Sequence, residues 1–279
     1  MLMATTLALG GCAMVRVVYN QAPDALYWWM DGYFDFKEAQ TLRLRTDLDA
    51  FHAWHRATEL PAYVALLDKA RNLAGAEVNS SQVCGLFEEG RVRAIAAMER
   101  MEPTIVAIAP TLTLEQIGHL EDKLDKRNRK WRAEWMEGPL HKRVAKRVKE
   151  SVSRAENVYG NLDEKQLAVI RNAVAQSRYD PQLAYRESLR REQDALATLR
   201  SFHSTPATPA QVRTAIRAFL DRSITSPDLA YRNYLDGVTK DGCSAVAALH
   251  NSTTQAQRQK AWKTLTSYED DFRALISIR

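Results

Sequence analysis

His52, His55 and Glu59 stand at i, i+3 and i+7, which on a helix brings all three within about 60° of one another. Imidazole nitrogen and carboxylate oxygen are ordinary ligands of zinc and other divalent ions, so the trio has the donors for a metal or acid–base site. Glu59 alone could act as the general acid of an envelope hydrolase if its pKa were raised. A blander reading competes: a buried His55 hydrogen-bonded to Glu59, locking a helix break, because Pro61 disfavours helix in the residue before it. No third strong ligand set is in view. The chain also lacks a Gly-x-Ser-x-Gly elbow, a phosphate-cradling glycine loop and a His-Glu-x-x-His pair. Neither a metal nor a cofactor is expected, and the chain does not read as an enzyme.

A second chemistry is electrostatic. Eleven Lys and Arg residues lie between Lys123 and Lys149 against Asp125, Glu134 and Glu137, with Trp131 and Trp135 interleaved. Lys126, Arg127, Lys130, Arg143, Lys146 and Arg147 form a candidate anion-binding face for lipid headgroups, envelope polymers or, in a cytosolic protein, nucleic acid. The alternative is a solvated outer face with Trp131 in the core.

The third chemistry is thiol chemistry. Leu9-Gly10-Gly11-Cys12 resembles a bacterial lipobox, with small residues for the signal peptidase and Cys12 as the thiol that takes the diacylglyceryl group. The apolar segment before it is short and carries no Lys or Arg, which a start codon further upstream would explain. Acylated Cys12 would hold the mature chain on a membrane. Ala13 at the next position goes, in lipoproteins generally, with the outer membrane. Export would put Cys84 and Cys243 in an oxidising compartment, where they either form a disulfide or stay two separate buried thiols.

These residues must be positioned by helices. Ile117, Leu120, Leu124 and Trp131 make one helical stripe; Tyr185, Leu189, Leu196 and Leu199 make another; Leu44, Leu48, Phe51 and His55 a third. No alternating strand pattern persists, so the fold class is all-α. Thr113, Asp163 and Thr208, with Asn79 as a weaker example, each precede a Gln by three positions, the signature of a capping box. Pro181-Gln-Leu-Ala-Tyr-Arg-Glu-Ser-Leu189 and Pro227-Asp-Leu-Ala-Tyr-Arg-Asn-Tyr-Leu235 match at six of nine positions with an offset of 46. The segment 163–250 thus reads as two copies of box, helix, proline turn, helix, with Gly138-Pro139 marking an earlier, diverged copy. Antiparallel helix pairs of this kind either close into a bundle or stack as a short curved array. Ser252 or Thr253 is the expected cap of a last helix running to about Ile276.

The 279 residues are 46% hydrophobic and 26% charged, with 39 Lys and Arg against 34 Asp and Glu. That composition excludes disorder, and no run of 18 apolar residues offers a membrane span. Three regions follow: a signal segment over 1–11, an aromatic-rich helical region over 12–110, and the repeated helix pairs over 111–279.

Ten aromatic residues fall between Tyr19 and Tyr63. Leu-Gly-Gly-Cys at 9–12, Val-Tyr-Asn at 18–20, Trp29 through Tyr33, Asp35-Phe36 with Gln40, and Trp54-His55-Arg56 with Glu59-Leu60-Pro61 together resemble a family of uncharacterised bacterial lipoproteins. That resemblance implies a helical domain of unknown function and no activity. The Leu-Thr-x-x-Gln helix start at Leu112, and Leu-Asp-x-x-Gln at Leu162, are similar to those of the Spy/CpxP group of periplasmic chaperones, an analogy at the level of fold. The expected protein is a periplasm-facing envelope lipoprotein, anchored through Cys12, that binds an envelope protein or anionic polymer as a chaperone-like or assembly factor.

Overall fold

The computed structural model describes residues 10–204 and 207–277, with side chains from Val15 onward. Of the expected signal segment over 1–11, the residues up to Leu9 lie outside the described residues, as does the side chain of Cys12. Among the described residues the chain is all helix, turn and loop. The helices are Gly10–Asn20 (α1), Ala22–Phe34 (α2), Glu38–Trp54 (α3), Leu60–Ala74 (α4), Ser80–Ile108 (α5), Leu114–Trp135 (α6), Leu140–Tyr159 (α7), Glu164–Gln176 (α8), Pro181–Ser204 (α9), Pro209–Ile224 (α10), Leu229–Asn251 (α11) and Gln255–Ser277 (α12). None of them is long and apolar enough to cross a membrane.

Capping chemistry sets many of the helix starts. Asn79, Thr113, Asp163 and Thr208 each accept a hydrogen bond from the backbone N–H of the Gln three residues on, whose side chain accepts in return from the cap N–H. The last helix follows the same rule from a different residue. Thr254 and Gln257 make the box, while the Ser252 and Thr253 hydroxyls donate back to carbonyls of Leu249 and His250. The expected cap at Ser252 or Thr253 is therefore corrected by one or two positions, because the Ser252 and Thr253 hydroxyls are taken by carbonyls of the preceding helix and Thr254 makes the reciprocal pair with Gln257.

Some of these glutamines do a second job. Gln116 and Gln166 are 1% and 0% exposed. Gln116 and Gln40 exchange hydrogen bonds of 2.8 and 3.2 Å, and Gln116 also donates to the Asp35 carbonyl. Gln166 and Gln257 do the same at 2.7 and 2.9 Å, and Gln257 donates to the Asn161 carbonyl. Two amide pairs thus clamp helix starts together, α3 on α6 and α8 on α12, with both donors and the acceptor of each side chain in use.

The copies in 163–250 interlock at their proline turns. The Tyr234 hydroxyl donates to the Asp180 carbonyl and accepts from the Asp180 N–H, both at 3.0 Å. Ser226, which is Asp180's counterpart, donates to the buried Glu187 at 3.0 Å. Glu187 also receives Arg190 and Arg191, and these hydrogen bonds outweigh burial and hold its carboxyl below the usual range.

The array is closed. In an open stack each pair would touch only its sequence neighbours, but α12 lies along α4 and reaches α1, and α11 packs on α5. The largest core joins Tyr27, Leu44 and Leu48 to Ile117, Leu120, Leu196 and Ile216. The division at residues 110 and 111 is therefore one of sequence character; the packed interior runs straight across it. Cys84 on α5 and Cys243 on α11 are joined by a disulfide, with Cα atoms 5.4 Å apart across a sequence separation of 159.

Candidate functional site

Helix α3 passes into a π turn, His55–Glu59, before α4 opens at Leu60. Pro61 has no N–H to give, and the wider turn carries the chain past it without a break. The extra residue also moves Glu59 off the face that holds the histidines. The expected helix break and the expected His55–Glu59 hydrogen bond are both corrected by this turn. His52 Nε2 donates to the Tyr19 carbonyl at 3.0 Å, and the Tyr19 hydroxyl bonds His55 Nδ1 at 3.0 Å. Arg56 donates to Asn20 Oδ1 at 2.6 Å. Tyr19-Asn20 and His55-Arg56, which stand apart in the sequence, are thus one clasp between α1 and the π turn.

Electrostatics agree with a clasp. Burial lowers the pKa of both histidines, helped at His52 by the Arg56 charge and at His55 by His52. Burial raises Tyr19 and Tyr63, with Glu59 adding to the effect at Tyr63. Glu59 is 1% exposed; one oxygen lies 3.8 Å from Arg93, and the other has no hydrogen-bond partner. Such a carboxyl is shielded from solvent. Among the described residues, no three or more His, Cys, Asp or Glu side chains gather as a metal site would require.

A different feature has the shape of a binding site. Helices α4, α5, α7, α8, α11 and α12, with the end of α6, enclose an apolar cleft of about 1030 Å³. That is at the upper end of the volumes that hold small organic ligands. Val83, Ile170, Val174 and Leu249 supply buried wall, Leu73 a partly buried part of it, and Trp131 and Trp135 line the end near α6. Phe87, 52% exposed, and Val246, 41% exposed, mark where the cleft meets solvent. At one wall His250 Nε2 donates to the Ala76 carbonyl at 2.8 Å, which leaves Nδ1 to accept from the Tyr159 hydroxyl at 2.9 Å. Burial keeps that imidazole neutral by lowering its pKa and raises Tyr159. The disulfide sits directly behind this lining, next to Val83 and Gly242.

The basic residues of α6 and α7 have different partners. Arg127 is bound to Glu192 at 2.5 Å, and Lys146 to Glu134 with its ammonium 4.1 Å from the Trp135 ring. Lys126 and Lys130 are exposed on α6. Arg147 instead turns into the cleft wall, over the Tyr179 ring at 4.7 Å. Trp131 stacks on Tyr185 and lines the cleft too, so the two interleaved tryptophans serve a cavity and not a surface.

A model of a family of unknown function, DUF6279, matches residues 32–208 of the chain. The chain belongs to that family. No curated protein and no solved structure matches. The DUF6279 segment holds the π turn with His55 and Glu59, Cys84, Gln116, Gln166, and the α4, α5 and α7 walls of the cleft. The α11 and α12 walls, Cys243 and Gln257 come from beyond it, as does Tyr19 of the clasp.

Sequence reasoning did not find the cleft. Its lining comes from seven helices in short apolar pieces that look like ordinary core. One faint signal was there: α7 carries Val144, Val148, Ala155 and Tyr159 on an apolar face with Arg147 and Arg154 along its edge.

Proposed function

We propose that this protein is a cell-envelope lipoprotein, held to a membrane through Cys12 and probing the periplasm, whose role is to bind an apolar group in the α4–α12 cleft without catalysis. The observation that carries the reading is the cleft itself: about 1030 Å³ with an apolar lining, in a chain that closes on itself around it. The disulfide supports export, because such bonds persist in oxidising compartments. The Leu-Gly-Gly-Cys sequence supports the anchor, and Ala13 after it favours the outer membrane. A chaperone-like or assembly-factor role follows naturally for a protein that shelters an apolar segment or lipid of an envelope component. The geometry lends no support to a hydrolase built on Glu59 and His55, since the two face different partners. It lends none to nucleic-acid binding, since the basic residues are divided between ion pairs, solvent and the cleft.

Two measurements test this. N-phenyl-1-naphthylamine, a neutral apolar probe, should saturate one site and brighten on the purified protein, and Ala173→Trp, which fills the cleft, should abolish the signal while circular dichroism stays unchanged. Absence of saturable binding in the parent protein overturns the binding role. In cells, an alkyne-labelled fatty acid should be incorporated at Cys12, with a precursor accumulating under globomycin and no label in Cys12→Ser. Lack of label in the unmodified chain overturns the anchor.

A further inference from the structure

The cleft contains more charge than an apolar ligand needs, and the charges do not all cancel. Asp241 is taken by Arg178, whose guanidinium reaches it at 3.1 Å and whose backbone N–H donates to it at 3.0 Å. Glu150 pairs with Arg154 at 3.4 Å, an exposed pair near solvent. That leaves Arg147. Among the described residues no carboxylate pairs with it; its company is the Tyr179 ring, with Tyr234 also near. One turn earlier on α7, Arg143 has a buried Nε with no hydrogen-bond partner. A guanidinium half withdrawn from water loses hydration that a ring face only partly restores, and a hydrogen-bonded anion is the partner that makes up the difference.

We infer that the cleft takes an anionic amphiphile, a chain-like apolar body with a single carboxylate or phosphate head, and that Arg147 binds the head while the α4–α5–α8–α11 walls take the chain. This rests on the reading of the cleft as a binding site and adds the chemical class of its ligand. Geometry and charge select the class together. An apolar wall alone would accept any chain, and a basic surface alone any anion. An arginine set into an apolar wall and relieved of carboxylates asks for both in one molecule. Planar guanidinium also matches carboxylate and phosphate oxygens in pairs, which gives the head a fixed place and the chain a fixed direction.

The test compares three ligands that share a chain: palmitate, hexadecanol and palmitoyl-lysophosphatidylglycerol, each competing for the site on the full purified protein against N-phenyl-1-naphthylamine. The expected result is that one or both anionic ligands bind tenfold to a hundredfold more tightly than hexadecanol, the tighter one naming the source of the head. Arg147→Met should bring the anionic ligands down to the hexadecanol level and leave hexadecanol itself unchanged. Lys126→Gln, on the exposed side of α6, should keep the preference intact. Equal binding of all three ligands by the parent protein overturns the ligand class while leaving the cleft as a binding site. So does a preference that survives Arg147→Met. Failure of every ligand, the neutral probe included, overturns the binding reading beneath it. Thermal melting of Arg147→Met guards against a folding defect, and Arg147→Lys, which keeps charge without the fork, should restore only part of the preference.

Discussion

Three histidines carry the plainest residue-level consequence. His52, His55 and His250 are each pushed below the ordinary value of 6.5, burial being the main cause. Between the lowered folded value and 6.5, the unfolded chain binds more protons than the folded one, so stability rises with pH across that window. The contribution is therefore whole above about pH 6.5 and drains away as the pH falls through the folded pKa values. Urea midpoints measured from pH 7.5 to pH 5.5 should fall, and the fall should be reversible. Replacing His52 and His250 together by Gln, which keeps a donor for the Tyr19 and Ala76 carbonyls, should flatten the profile across that range. A midpoint that stays level in the parent chain would show the three rings to be as free to take up a proton folded as unfolded. The same residues explain why a polar site at 52–59 was half legible. Spacing correctly puts His52 and His55 side by side, since both reach Tyr19. It misplaces Glu59, because a periodicity of 3.6 cannot foresee a π turn ahead of Pro61.

At the scale of elements, cap chemistry is local, and what is local was legible. Asn79, Thr113, Asp163 and Thr208 could be assigned because the donor and acceptor lie three residues apart. The pairing of Gln116 with Gln40 and of Gln166 with Gln257 spans 76 and 91 residues, and nothing in a single helix start shows it. That difference separates two kinds of box. Gln211 is exposed and serves only Thr208, so Gln211→Ala should cost about 0.5–1 kcal/mol, as a lost cap contact does. Gln166→Ala should cost about 2–4 kcal/mol, because the Asp163 N–H, the Ser252 carbonyl and both ends of the Gln257 amide lose a partner in or near the interior. Chemical denaturation of the two variants reads the gap directly. Equal costs would mean that the amide pair adds nothing to its caps.

For the whole molecule, helix pairs and their repetition suggest units that could be separated, whereas the packing ties first to last. Leu112, Ile117, Leu120 and Leu124 find much of their interior in Tyr27, Leu44 and Leu48. Helix α12 finds it on α4, and Cys243 on Cys84. A fragment of residues 111–279 keeps every repeat but forfeits those three contacts at once. The bridge alone, closing a loop of this length, accounts for about 5 kcal/mol in the chain-entropy model, which is comparable with the net stability of many domains. The fragment should therefore retain helical far-UV dichroism, lose its near-UV signal, bind an apolar dye and melt without a sharp transition. The full chain should unfold in one step, at a midpoint that drops by several degrees when the disulfide is reduced. A fragment with a cooperative transition of its own would instead make the repeats a domain, and would leave the cleft, whose walls come from both sides of residue 110, as an interface between two folded bodies.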